Sequence, residues 1–214
     1  VNPLMPIFRE RELAYMLGFC QAKVLVVPKR FRGFDHEAMA LGLQERLPDL
    51  RQVLVVDGHG ANDFERCLLE TRDTVEPPAD ATEAPARADE LAVLMFTSGT
   101  TGEPKGVMHS HNSLVACAQG IGARFGLTDR DVILACSPVG HMTGYAATML
   151  LGLTLGCTVV FQDIWEPRWG VEILAAERVT HTAAATPFLT DICDAVAAGA
   201  PRPVLKTFMC GGAP

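Results

Sequence analysis

Positive charge is scarce in this 214-residue chain. Its 18 Lys and Arg stand against 25 Asp and Glu, a net charge of −7. Nucleic-acid binding needs a basic face, so that partner class is set aside. A small anionic ligand is still open, because one local positive group can hold it. Cysteine pairs are also missing. The seven cysteines (Cys20, Cys67, Cys117, Cys136, Cys157, Cys193 and Cys210) include no C-x-x-C. Their number is odd and most lie in apolar runs, so reduced, buried thiols of a cytoplasmic protein are expected. His109 and His111 form one short pair, too little for a metal site, and no metal ligands are assigned. No secretory leader pattern opens the chain. No internal repeat occurs.

A long unbroken apolar run is lacking too. Residues 132–161 carry no formal charge and would be long enough to cross a bilayer. Pro138, His141 and several glycines interrupt them, and no basic cluster flanks them. Strand, turn, buried helix and strand are expected there, and no membrane span.

What is present is a core-forming composition, 49% hydrophobic against 20% charged. Residues 71–90, TRDTVEPPADATEAPARADE, hold six acids, two bases and three prolines, with Val75 the single large apolar side chain. They read as an acidic linker or loop between an α/β portion at 1–70 and a second at 91–214. Both ends read as cut: Val1 replaces a starting Met, and VLKTFMCGGAP runs a strand into a glycine turn with nothing after it to cover the sheet. An internal piece of a longer protein is expected. Exposed apolar faces then favour self-association.

Apolar runs at 23–27, 52–56, 91–96, 131–136, 157–161, 180–185 and 204–210 read as strands, mostly buried on both faces. Helical stripes lie between them: Leu13, Met16, Leu17 and Cys20; Leu114, Cys117, Ala118 and Ile121; Leu189, Ile192, Cys193 and Val196. Thr186 is the expected N-cap of the last, with Pro187 in its first turn and Gly199 past its end. Alternation of strand and helix predicts an α/β fold of largely parallel sheets flanked by helices.

The run LAVLMF leads directly into TSGTTGEPKG. Thr97, Ser98, Thr100 and Thr101 bring hydroxyls. Gly99 and Gly102 allow positive φ and close approach of a ligand to the backbone. Successive amides in such a turn form an anion cradle, Lys105 adds a mobile ammonium, and Pro104 stiffens the approach to it. A polyphosphate held at the carboxyl end of a buried strand is the implied function. The order is not that of the common P-loop, in which Lys follows the second Gly and opens a helix.

FTSGTTGEPKGV resembles the signature loop of the adenylate-forming superfamily: acyl-CoA synthetases, peptide-synthetase adenylation domains and luciferases. NPLMPIFRERELAYML, CSPVGHMTGY, RVTHTAAATPFLTDI and CGGAP resemble further family segments in family order, and VPKRFRGF resembles cyclohexanecarboxylate and short- to medium-chain CoA ligases. The resemblance covers essentially the whole chain. It implies part of the αβαβα N-terminal domain of these enzymes, with the C-terminal lid and the magnesium-side residues outside the sequence.

The implied chemistry is ATP-dependent carboxylate–CoA ligation. A carboxylate attacks the α-phosphate of Mg2+-bound ATP to give an acyl-adenylate, and coenzyme A then takes the acyl group. The resemblance places Thr97, Ser98, Gly99, Thr100, Thr101, Gly102 and Lys105 on the phosphates. It places His141, Met142, Thr143 and Gly144 at the acyl pocket, with Lys105 and His141 as the catalytic candidates. Gly211, Gly212, Ala213 and Pro214 fall at one wall for the adenine. VGHMTGY offers no aspartate to pair with an α-ammonium, which points to a simple carboxylic acid rather than an amino acid. Adenylation feeding a carrier protein and a non-catalytic nucleotide-binding module are the alternatives. The chain alone is expected to be inactive.

Overall fold

A computed structural model of the chain describes residues 1–70, 86–97 and 103–211. The chain divides into two compact units. One comprises Pro6–Ala86 and Phe96–Lys105, and the other Val1–Met5, Arg87–Met95 and Gly106–Pro214.

In the first unit, α1 (Glu10–Phe19) buries Leu13, Met16 and Leu17, the stripe expected from the sequence. The Glu12 carboxylate accepts the Arg9 amide at 3.1 Å, closing the first turn. Strand β1 (Val24–Pro28) follows. Strands β2 (Arg30–Phe31) and β3 (Phe34–Asp35) then form a hairpin that the sequence reading missed. Its two-residue turn holds Arg32 at φ 50° and Gly33 at φ 78°, the left-handed geometry that matches strand twist. Helix α2 (His36–Gln44) is capped by Asp35, whose Oδ1 accepts the Ala38 amide at 2.9 Å. Strand β4 (Gln52–Val56) pairs in parallel with β1, in register from Val24↔Gln52 to Pro28↔Val56. Residues 23–27 are not buried on both faces as expected: Leu25 and Val27 are buried while Val24 and Val26 are about half exposed. A two-stranded sheet with its helices on one side alternates rather than burying continuously.

Strands β5 (Leu91–Thr97) and β6 (Lys105–Ser110) pair with each other. The division into units falls within this pair, after Met95 and after Lys105. Strand β6 was not expected, because KGVMHS shows neither alternation nor an apolar run and is mostly exposed.

The second unit continues with α3 (His111–Phe125), capped by Ser110 and ended by Gly126 at φ 64°. Strand β7 (Val132–Ala135) leads into one helical run: α4 (Met142–Gly144), a π-helical segment Tyr145–Leu150, and α5 (Leu151–Leu155). Then come β8 (Thr158–Phe161), α6 (Pro167–Ala176), β9 (His181–Ala184), α7 (Thr186–Ala197) and β10 (Thr207–Cys210). The sheet runs β10-β9-β7-β8, all parallel. One face packs Leu134, Val171, Leu174, Val179 and Ile192 under α6 and α7. The other packs Ile133, Leu151, Ala118 and Leu127 under α3 and α5. Residues 132–161 are thus strand, turn, helix and strand, and no helix among the described residues is long and apolar enough to cross a membrane.

Two local expectations are corrected. Thr186 is the first residue of α7, not its cap; Ala185 holds the cap position, and the Thr186 hydroxyl lies 3.2 Å from Cys210 Sγ. Of the seven cysteines only Cys136 is buried, while Cys117, Cys193 and Cys210 are exposed. The buried line of α3 is Leu114, Ala118 and Gly122, which leaves Cys117 on the flank.

The amino edge of the four-stranded sheet is tied by Asp131. Its carboxylate accepts from the Thr128 amide (2.8 Å), the Thr180 hydroxyl (2.8 Å) and Lys206 Nζ (3.2 Å). Burial alone would raise its pKa, but these hydrogen bonds and the Lys206 charge hold it below the usual value. His181, in β9, is fully buried, with Nδ1 2.7 Å from the Thr207 hydroxyl and its ring 5.5 Å from Phe125. Burial pushes its pKa from 6.5 down to about 4, so the ring is neutral in the fold. The unfolded chain binds that proton near pH 6.5 and the folded one does not until about pH 4. Stability attributable to His181 should therefore fall by up to about 3 kcal/mol as pH drops through this window. Urea titrations from pH 7.5 to 4 test this: His181→Asn should flatten the slope, and an unchanged slope would remove His181 as its cause.

Candidate functional site

In a parallel sheet, ligands collect at the carboxyl ends of the strands, where two neighbouring strands send their connections in opposite directions. Here β7 leads through α4 and α5 to β8 on one side, and β9 leads through α7 to β10 on the other. The helices of the two connections lie on opposite faces of the sheet. The reversal point is therefore between β7 and β9. The two strand ends are joined there by side chains. Ser137 Oγ donates to the Ala183 carbonyl at 3.1 Å, and Cys136 Sγ lies 3.7 Å from Thr182 Oγ1. Burial raises the pKa of Cys136, so this thiol is a packing group and not a nucleophile.

His141 stands in the loop that leaves β7 at this point. Its amide donates to the Pro138 carbonyl (3.0 Å), and its own carbonyl accepts the Tyr145 amide (2.9 Å). The Thr143 amide donates to His141 Nδ1 at 3.2 Å, which makes the histidine side chain the cap of α4. In the neutral ring the proton then sits on Nε2, which is left to donate to an outside acceptor. The ring itself is exposed. Gly144 lies against the Ser137 and Pro138 carbonyls so closely that a Cβ could not be placed. Met142 and Tyr145 pack against Val93 and Met95 of β5.

Gly211, just past β10, donates its amide to the Ala184 carbonyl at 3.4 Å. Together with the Thr186–Cys210 contact, this sets Gly211 beside the end of β9. The carboxyl edge thus carries His141, Thr186 and Gly211 after three adjacent strands. Thr186 was read from the sequence only as a helix cap, and its signal as a site residue is a hydroxyl directly after a buried strand.

The other candidates fall elsewhere or outside. Thr97 ends β5, and its hydroxyl donates to the Lys105 carbonyl at 3.4 Å, closing the base of the β5–β6 connection. Lys105 opens β6 and is exposed. Ser98, Gly99, Thr100, Thr101 and Gly102, and likewise Gly212, Ala213 and Pro214, lie outside the described residues. No cluster of three His, Cys, Asp or Glu among the described residues could hold a metal ion. In the first unit, a cleft of about 530 Å³ opens after β4, lined by Asp57, His59, Asp63, Glu65 and Arg66 among others. The sequence reading did not pick out this cleft.

Comparison with known proteins agrees on one family. The family model described as AMP-binding enzyme matches residues 1–214. A medium-chain fatty-acid–CoA ligase of Escherichia coli K12 is 35% identical over 98% of this chain. A Streptomyces salicylyl-CoA synthase / salicylate adenylyltransferase is 33% identical, also over 98%. The chain spans 37% and 39% of the lengths of these two relatives. The apo structure of MbtA from Mycobacterium smegmatis superposes with a TM-score of 0.81 at 28% identity, covering 98% of this chain and 37% of that one.

The close packing of Gly144 gives a direct check on the loop. Gly144→Ala should cost about 1–3 kcal/mol of stability. Gly120→Ala, on α3 where a Cβ meets nothing, should cost none. Equal denaturation midpoints for the two variants would contradict the packing described.

Proposed function

The chain belongs to the AMP-binding enzyme family, and from that premise we propose that the full-length protein is an ATP-dependent carboxylate–CoA ligase. It joins a carboxylic acid to AMP and then passes the acyl group to the thiol of coenzyme A. The observation that carries this reading is the reversal point between β7 and β9, with the exposed His141 in the loop after β7 and Gly211 beside the end of β9, both on the carboxyl edge of one parallel sheet. The named relatives act in the same chemical class, which supports the reading.

The roles follow from the groups present. The acid's carboxylate must approach the α-phosphate with its charge held but its oxygen free. With Nδ1 accepting the Thr143 amide, His141 presents Nε2–H as a donor suited to one carboxylate or phosphate oxygen. Charge then builds on the departing pyrophosphate. Lys105, with the hydroxyls of Ser98, Thr100 and Thr101 and the amides around Gly99 and Gly102, supplies donors for it, while Thr97 closes the base of the connection through the Lys105 carbonyl. Met142, Thr143 and Gly144 line the acyl side, and Gly211 with its neighbours flanks the adenine. No acidic side chain stands at residues 136–145 to pair with an ammonium, so the acid is one without an α-amino group.

The proposal is tested by screening carboxylic acids for AMP release with the full-length protein. Lys105→Ala should slow single-turnover adenylate formation by 10-fold or more. The denaturation midpoint should not change, because Lys105 is exposed and makes no ion pair among the described residues. An unchanged adenylation rate would remove Lys105 from this role. The absence of acid-dependent AMP release with every acid would overturn the ligase reading in favour of nucleotide binding without catalysis.

A further inference from the structure

The His141 loop is held by a closed ring of contacts that no single motif reveals. Val1 lies beside β5. Its amino group donates to the Ala92 carbonyl at 2.8 Å, and its carbonyl accepts the Leu94 amide at 2.9 Å, the pattern of a parallel strand partner. Four residues later the same segment reaches the loop after β7. A Cβ built on Gly140 would stand 2.6 Å from the carbonyl carbon and oxygen of Leu4 and 2.7 Å from the Met5 amide nitrogen. The Leu4–Met5 peptide therefore rests directly on Gly140. His141 is next in the chain, and after it Met142 and Tyr145 return to β5, packing on Val93 and Met95. The ring thus runs from β5 through Val1, Leu4–Met5, Gly140, His141 and Met142 back to β5.

From this geometry we infer that residues 1–5 act as a strap that fixes His141 for adenylation, with Gly140 as the positioning residue at its point of contact. The inference rests on the role proposed for His141. The backbone is the contacting partner on both sides, so neither can yield by changing a rotamer. Any side chain at residue 140 must displace the strap or the loop by several tenths of an ångström, since a Cβ needs at least about 3.0–3.4 Å. His141 itself is exposed, and among the described residues its side chain is held through Nδ1, by the Thr143 amide. Its aim therefore depends on the backbone it hangs from. Misplacement of a catalytic group by about 1 Å costs roughly 100-fold in rate.

The test uses the full-length protein, with the acid found to be its best substrate, and single-turnover adenylate formation as readout. Gly140→Ala should lower the rate constant 10- to 100-fold, leave the KM for ATP within about 2-fold, and keep a cooperative denaturation transition. His141→Ala should lower it comparably. The double variant should be no slower than His141→Ala alone, because Gly140 acts through that ring; a purely structural defect would instead multiply the two losses. Pro3→Gly, which loosens the strap without a clash, should give a smaller loss of the same kind. It carries the test if Gly140→Ala does not fold. Gly120→Ala should behave as wild type.

The strap is overturned if Gly140→Ala or Pro3→Gly retains the wild-type rate, or if their losses multiply with that of His141→Ala. A wild-type protein that forms no adenylate with any acid would instead defeat the ligase reading. A wild-type rate in His141→Ala would defeat only the role of that residue and, with it, the strap.

Discussion

Parallel strands cannot be joined by tight turns; each must return through a crossover on one face or the other. In the β10-β9-β7-β8 sheet the crossovers after β7 and β9 leave in opposite directions, which parts the two loops at the carboxyl edge. The candidate site in the second unit hangs on that parting. It puts the loop of His141, the start of α7 at Thr186 and Gly211 along one edge. It also leaves Ser137 to stitch the strand ends together across the gap, by donating to the Ala183 carbonyl.

The two edges of this sheet are built differently. At the amino edge Asp131 gathers Thr128, Thr180 and Lys206, one polar residue leading into each of β9 and β10, and its acceptors are occupied. This cross-bracing ties together the starts of β7, β9 and β10. At the carboxyl edge polar groups are held by their backbones and by short hydroxyl and carbonyl contacts, with the His141 ring presented outward. A sheet pinned at one end can carry loops at the other that keep unsatisfied donors for a ligand. The close-packed glycines 140 and 144 serve the same end, since they let carbonyls and a neighbouring peptide approach the loop closely.

The elements of strongest pattern were legible. Residues 52–56 form β4 with the bounds expected, and the runs at 91–96, 131–136, 157–161, 180–185 and 204–210 each contain a strand. Burial on both faces holds for β4, β7 and β9, whereas β5, β8 and β10 are only partly covered, so an apolar run marked the strand but not its burial. What escaped were β2, β3 and β6, each short or exposed, where no burial pattern is imposed on the side chains. The hairpin turn was hidden because its first left-handed position is Arg32, a residue that does not announce positive φ. The cysteines misled for a related reason: an apolar neighbourhood along the sequence does not say which flank of a helix faces the core, and Cys117 and Cys193 fall on the outer side.

By itself the sequence determined the alternation of strand and helix, the membership of a nucleotide-using family through one long loop motif, and the candidate residues Lys105 and His141. These follow from local facts: periodicity, glycine and proline placement, and the order of hydroxyls and lysine along a few residues. The tertiary structure alone decided the strand order, and so where the reversal point lies. It also decided that Leu4–Met5 rests on Gly140, and that His181 and Asp131 are buried with particular partners. Such contacts join residues far apart in the chain, and their existence depends on distances that no local pattern encodes.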